Sequence, residues 1–160
     1  MAALTSVNKE HLDNILDRIK TVEWRKKPLP LGKHYGYETK NKGGCGKVTG
    51  EFYIVENIKV DLFDIVCNDE KDLIKKGCVD WGFLNNYAGL ERSYLYANII
   101  ENAKRYDKPK ELSEFRKICP YTDGSYCLDR KCEHYDDYSG KCCNRVETPP
   151  QSYMFVEVRE

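Results

Sequence analysis

Apolar side chains recur at Leu12, Ile15, Leu16 and Ile19, the spacing of one helix face, just after the semi-apolar run Leu4–Val7. This pattern predicts a short strand and then a helix that Asn8 caps. From Lys20 to Arg25 polar and apolar residues alternate instead. An extended segment there sets Thr21, Glu23 and Arg25 on one face and Lys20, Val22 and Trp24 on the other. Trp24, opposite Glu23, is a core candidate. A hydroxyl, a carboxylate and a guanidinium side by side bind a planar polar group such as a nucleobase, or a phosphate; the same charges also suit a solvated edge strand with an ion pair.

Further along, Pro28 and Pro30 end that strand or hold it at a sheet edge. Tyr35–Thr39 reads as a strand, Gly43-Gly44-Cys45-Gly46 as a hairpin turn, and Val48–Val60 as the returning strand. Asn68–Lys76 and Val79–Tyr87 read as short helices, ended by Gly77 and Gly89 in the left-handed conformation. In Tyr94–Ala103, a strand, Tyr94, Tyr96, Asn98 and Ile100 share one face. Asp107-Lys108-Pro109 predicts a turn, Glu111–Phe115 a helical turn, and Ser152–Val158 the last strand. Many strands with few helices predict an α+β fold, a small mixed β-barrel with flanking short helices.

The 160 residues suit a single domain. The 26 basic and 26 acidic residues cancel, so total charge singles out neither nucleic acid nor membrane as partner. Bases nevertheless dominate from Arg18 to Lys47, and acids from Glu51 to Asp80. No apolar run is long enough to cross a bilayer, and the first residues lack the pattern of a secretory signal. A cytoplasmic protein without a membrane partner is the expectation. Eight cysteines in such a compartment point to thiols or metal rather than a disulfide framework.

Five of the cysteines, Cys119, Cys127, Cys132, Cys142 and Cys143, stand with His134 in a polar stretch from Arg116 to Thr148, read as an insertion before the last strand. Cys119, Cys127, Cys132 and Cys142, with Cys143 or His134 as alternates, have the ligand chemistry of a structural zinc site. Their spacing contains no Cys-x-x-Cys, so free thiols stay open as the other reading. Cys45, Cys67 and Cys78 are scattered and read as core or turn residues. For His11 and His34 a solvated or hydrogen-bonded role is the default.

Four pieces, in order, resemble the ASCH (activating signal cointegrator homology) family, whose fold is similar to the PUA RNA-binding domain. They are the first helix with Lys20-Thr-Val-Glu-Trp-Arg25, the hairpin Tyr35–Thr39 to Gly46–Phe52, the run Tyr94–Ala97 leading to Tyr106–Pro109 and Leu112–Phe115, and Pro149–Tyr153. Lys20, Glu23 and Arg25 match a signature that looks like Gly-x-Lys-x-x-Glu-x-Arg, while Arg18 takes the glycine position. The resemblance implies that RNA or a modified nucleoside binds in a cleft, here through Lys20, Thr21, Glu23 and Arg25, with Tyr37 and Glu51 as further contacts. Trp24, Tyr35, Tyr37 and Tyr94 are candidates to stack on bases.

Some members are similar to amidohydrolases of N4-acetylcytidine or to ribonucleases. A catalytic reading here rests on Lys20, Thr21 and Glu23, with Glu51 as a candidate distant glutamate. A third reading makes the cysteine-rich stretch a protein-docking surface.

Overall fold

The computed structural model describes residues 2–62, 71–118 and 146–158, together with the backbone of 135–136 and 141–142. The predicted elements largely form. Strand β1 (Ala2–Val7), helix α1 (Lys9–Leu16), β2 (Val22–Arg25), β3 (Gly32–Glu38) and β4 (Val48–Asp61) are followed by α2 (Lys71–Lys76) and α3 (Trp81–Ala88). Then come β5 (Tyr94–Lys110), β6 (Phe115–Lys117), the small pair β7 (Tyr135–Asp136) and β8 (Lys141–Cys142), and β9 (Tyr153–Val158).

Seven strands form one mixed sheet in the order β2-β5-β4-β3-β1-β9-β6. The sheet is open, not the closed barrel that its strand content predicts. Its two outer strands, β2 and β6, are short and have one paired neighbour each. Among the described strands only β1 and β3 pair in parallel, with α1 and β2 between them in the chain.

The candidate zinc ligands Cys119, Cys127, Cys132, Cys143 and His134 lie outside the described residues, as do Cys67 and the side chain of Cys142. Cys45 and Cys78 are free and exposed turn residues rather than core. Among the described residues no helix is long and apolar enough to cross a membrane.

The β2 end of the sheet has two unlike faces. Val22 and Trp24 on β2, Leu95 and Ala97 on β5 and Val60 on β4 form an apolar cluster that Leu84 and Ala88 of α3 cover. Glu23 and Arg25 project from the other face, in register with Asn98 and Tyr96 of β5. Asn98 is fully buried; its side chain accepts from the Leu29 backbone N–H (2.8 Å) and donates to the Glu23 carbonyl (2.7 Å). One amide thus ties the loop after β2 to the strand before it. On α1, Leu12, Ile15 and Leu16 pack with Leu29, Phe52 and Ile54.

Three local expectations are corrected. Asn8 stands at the N-cap of α1, but its side chain makes no cap hydrogen bond; its Oδ1 accepts from Thr39 Oγ1 instead. Asp107-Lys108-Pro109 does not end a strand. β5 runs on to Lys110, and the pairing steps from Gly50↔Arg105 to Val48↔Lys110, so the intervening residues bulge out, which suits a proline without an N–H. At the end of α2, Cys78 rather than Gly77 carries the positive φ, 52°.

Helix α1 ends in a Schellman turn: Arg18 N–H bonds to the Ile15 carbonyl and Ile19 N–H to the Asn14 carbonyl. Lys20 N–H shares the Asn14 oxygen. The left-handed residue of this turn is Arg18 (φ 62°), at the position that the resemblance gives to glycine. Ile19, the last residue of the helical pattern, is therefore beyond the helix and 63% exposed. A side chain in this conformation costs about 1–2 kcal/mol, which glycine avoids while adding freedom to the unfolded chain. Arg18→Gly is expected to leave stability unchanged or raise it by up to about 1 kcal/mol, and Arg18→Val to lower it by about 1–2 kcal/mol, in urea unfolding.

Candidate functional site

The Schellman turn decides where Lys20 points. Because Lys20 is the last residue of that turn and not the first of β2, strict alternation does not reach it. Its ammonium comes round to the Glu23 side, 3.4 Å from Glu23 Oε2, and donates to the Gly77 carbonyl at 2.5 Å. The side chain is 2% exposed. This overturns the expectation that Lys20 and Glu23 lie on opposite faces. On the other carboxylate oxygen, Arg25 Nε donates to Glu23 Oε1 at 2.9 Å, while Arg25 Nη2 donates to the Ser6 carbonyl.

Glu23 therefore serves two cations at once in a nearly dry place. Burial pushes its carboxyl pKa up, but Arg25, Lys20 and His11 outweigh burial and hold it below the usual carboxylate range. Half-buried His11 faces the same group from α1. Burial and the charge of Lys20 pull the His11 pKa down, and its Nδ1 is buried without a hydrogen-bond partner among the described residues.

These four side chains line a cavity of about 360 Å³. Its walls include Trp24 of β2 together with Val79, Phe83 and Tyr87 at and within α3. Phe83 is 45% exposed, stacks on Tyr87 at 6.1 Å and meets the His11 ring edge-on at 6.2 Å. Asp80 holds the start of α3 by accepting the Phe83 N–H at 2.7 Å. A charged floor and an aromatic wall are the parts of a pocket for a flat polar ring.

Lys20, Glu23 and Arg25 are brought together, and the other site candidates are not. Thr21 is absent from the cavity wall; its backbone pairs with Lys76 and Ile100. Tyr37 is 3% exposed, packs with Tyr35 and Phe115, and borders an adjoining hollow of about 1080 Å³. Glu51 sits on β4 with its own partners, Lys33 Nζ at 2.9 Å and the Tyr106 hydroxyl at 2.5 Å. Among the stacking candidates, Trp24, Tyr35 and Tyr37 are core residues. Trp24 was expected in the core, and it is 4% exposed.

His11, Phe83 and Tyr87 were missed as site residues. The pair Phe83/Tyr87 had a readable signal, two aromatics four residues apart on a capped helix, which share one face. His11 had none, because nothing local says which face of α1 looks toward β2.

The fold that carries this cavity is known. A crystal structure of ASCH from Zymomonas mobilis superposes with a TM-score of 0.64 at 17% identity, covering 98% of this chain and 87% of that one. The chain has the ASCH fold. A Ser→Ala mutant of the same Zymomonas protein gives TM-score 0.64 at 16% identity over 98% and 88% of the two chains. A Tyr→Phe mutant gives 0.58 at 19% identity over 69% and 76%. No family model matches the sequence, and no curated protein matches it. The turn before β2 is left-handed at Arg18, the position that the resemblance gives to glycine.

Three outcomes are expected at this site. Glu23→Ala strips both cations of their carboxylate and leaves the Lys20 ammonium buried on a carbonyl alone, so it should cost about 3–5 kcal/mol in denaturant unfolding. Since the folded-state pKa of Glu23 is depressed, its contribution is complete above the unfolded value of 4.5 and is lost as pH falls through the folded value. The wild-type protein should thus lose stability more steeply than Glu23→Ala below about pH 4.5 in a pH series of unfolding curves. At Gly77, an added Cβ would meet the Trp24 indole nitrogen at 2.4 Å. Gly77→Ala should cost about 1–3 kcal/mol by overpacking, read by the same unfolding curves.

Proposed function

We propose that the protein recognises a nucleobase of RNA, or a modified nucleoside, in the cavity over Lys20, Glu23 and Arg25. The observation that carries this reading is the buried carboxylate shared by two cations beneath an aromatic wall. Lys20 has three protons, and the Gly77 carbonyl and Glu23 take two of them. Arg25 uses Nε and Nη2 on Glu23 and Ser6, and Nη1 has no partner among the described residues and could serve a ligand. A base carbonyl or a phosphate oxygen would accept from these donors, an exocyclic amino group would donate to Glu23, and Phe83 and Tyr87 would stack on the ring. The cavity lies at the small end of the range of about 300–1,000 Å³ usual for ligand pockets, which suits one nucleoside.

Recognition is preferred to amide hydrolysis because of the hydroxyls. Hydrolysis by this strand needs a hydroxyl that Lys20 can activate. Thr21 is off the cavity wall, Ser6 Oγ donates to the Pro150 carbonyl, and Thr39 Oγ1 donates to Asn8. Among the described residues no hydroxyl hydrogen-bonds to the Lys20 ammonium.

The test is a calorimetric titration of the protein with cytidine, N4-acetylcytidine and a short single-stranded RNA, with chromatography of the same mixtures. Binding without turnover is expected, weakened about tenfold or more by Arg25→Ala and by Tyr87→Ala, since a charge-assisted hydrogen bond or a base stack is worth about 1–3 kcal/mol. Unfolding curves of both variants separate lost contacts from lost structure. Affinity unchanged in both folded variants would contradict the reading. Released cytidine or cleaved RNA would make the protein an enzyme.

A further inference from the structure

Arg25 does not end at the cavity. In register it stands opposite Tyr96 of β5, and Tyr96 stands opposite Lys59 of β4, so the three side chains form one row on one face of the sheet. Tyr94, two residues before Tyr96, meets its ring edge-on at 5.9 Å. Lys59 Nζ lies 4.0 Å from the centre of the Tyr94 ring, and the Arg92 guanidinium 5.3 Å from it. Arg92 Nη1 in turn donates to the Lys26 carbonyl at 2.9 Å, and Lys26 Nζ lies 5.4 Å over Tyr87, the cavity-wall aromatic. A row in register through Arg25 and a path of contact through Tyr87 thus join the cavity to a patch of three cations and two tyrosines.

The cations of this patch differ from four surface lysines that are ion-paired, although Lys110 is likewise held over a ring, that of Tyr106, without an ion pair to a described residue. Lys9, Lys33, Lys47 and Lys76 each sit against a carboxylate. Lys26, Lys59 and Arg92 make no ion pair with a described residue, and Lys59 and Arg92 are held over a tyrosine ring instead. An aromatic face orders a cation without neutralising it. Acidic groups do border the patch: Asp61 stands in register with Tyr94, and Glu91 precedes Arg92. They limit the patch to a narrow track rather than a broad basic field.

We propose that this track, Lys26, Lys59 and Arg92 with Tyr94 and Tyr96, takes the phosphates next to the base in the cavity, so that the ligand is a nucleotide within single-stranded RNA rather than a free nucleoside. The proposal rests on the reading of the cavity as a base pocket and names its polymer. Single strands suit the site because the base must leave its stack to enter the cavity, while ordered cations follow the backbone.

The experiment measures fluorescence anisotropy of a labelled single-stranded RNA of about eight nucleotides with the full chain across a salt series, beside calorimetry with free cytidine. Wild type should bind the RNA more tightly than cytidine, with an affinity that falls as salt rises. The double variant Lys59→Ala/Arg92→Ala should bind RNA at least tenfold more weakly at low salt. Its slope of log K against log salt should be smaller by about 1.4, two single-strand phosphate contacts, with cytidine binding unchanged. An unaltered RNA affinity and slope in the double variant would overturn the track and leave the cavity reading standing. A weakened double variant alongside absent cytidine binding and a normal Arg25→Ala would keep the track and reject the cavity. RNA bound no better than cytidine, or poly-glutamate bound as tightly as RNA at equal salt, would overturn RNA as the occupant.

Discussion

One carboxylate, Glu23, holds this end of the molecule together. Arg25 and Lys20 attach to its two oxygens, the Lys20 ammonium also reaches the Gly77 carbonyl, and Arg25 reaches the end of β1 at Ser6. Charges out of water are stable only when matched and hydrogen-bonded, so each of these partners must arrive at a fixed place. That requirement links elements far apart in sequence. The turn after α1 must swing Lys20 round, β2 must pair with β5, and the turn after α2 must offer its carbonyl. A glycine stands at that last point because Trp24 lies directly against it, leaving no room for a Cβ.

The two faces of β2 carry unlike side chains. Val22 and Trp24 anchor the strand in the apolar cluster under α3, while Glu23 and Arg25 are displayed on the opposite side. As β2 is the outer strand, the cavity wraps around its edge and draws its wall from both sides, His11 from α1 and Phe83 and Tyr87 from α3. A site built this way is rigid at its floor, where every charge is paired, and more adaptable at its rim, where Phe83 is half in solvent. The two positive charges against one negative leave the floor with an excess of hydrogen-bond donors, which is the electrostatic argument for an electron-rich ligand.

Strand β2 could be read from the sequence because polar and apolar side chains alternate along it, whereas β3, buried on both faces from His34 to Glu38, is legible only from its β-type residues. The helix α1 was equally legible from Leu12, Ile15 and Leu16. Lys20 was misplaced for a definite reason: alternation applies only inside a strand, and the strand begins two residues later, after a left-handed arginine that no propensity would assign. The barrel was wrong because closure depends on which edge strands pair, and that pairing is a long-range matter that local pattern does not carry. Tyr37 and Glu51 were drawn to the site by lying on neighbouring strands. Packing against Phe115 and pairing with Lys33 claim them instead. The aromatic wall went unread because α3 was seen only as a short helix with a glycine end.

Trp24 offers the most direct view of the central claim, that the charged cavity beside β2 is where RNA is read. Its indole nitrogen is buried without a hydrogen-bond partner among the described residues, beside the glycine whose carbonyl holds Lys20. The chain has two tryptophans, so a nitrogen–proton correlation spectrum carries two indole signals. Trp81 lines a different hollow, which Arg92 of the proposed track also borders, so the two signals report separately on the cavity and on the track. On titration with a short single-stranded RNA, the Trp24 indole signal should shift to saturation. Saturable RNA binding that leaves the Trp24 signal unmoved would contradict the account.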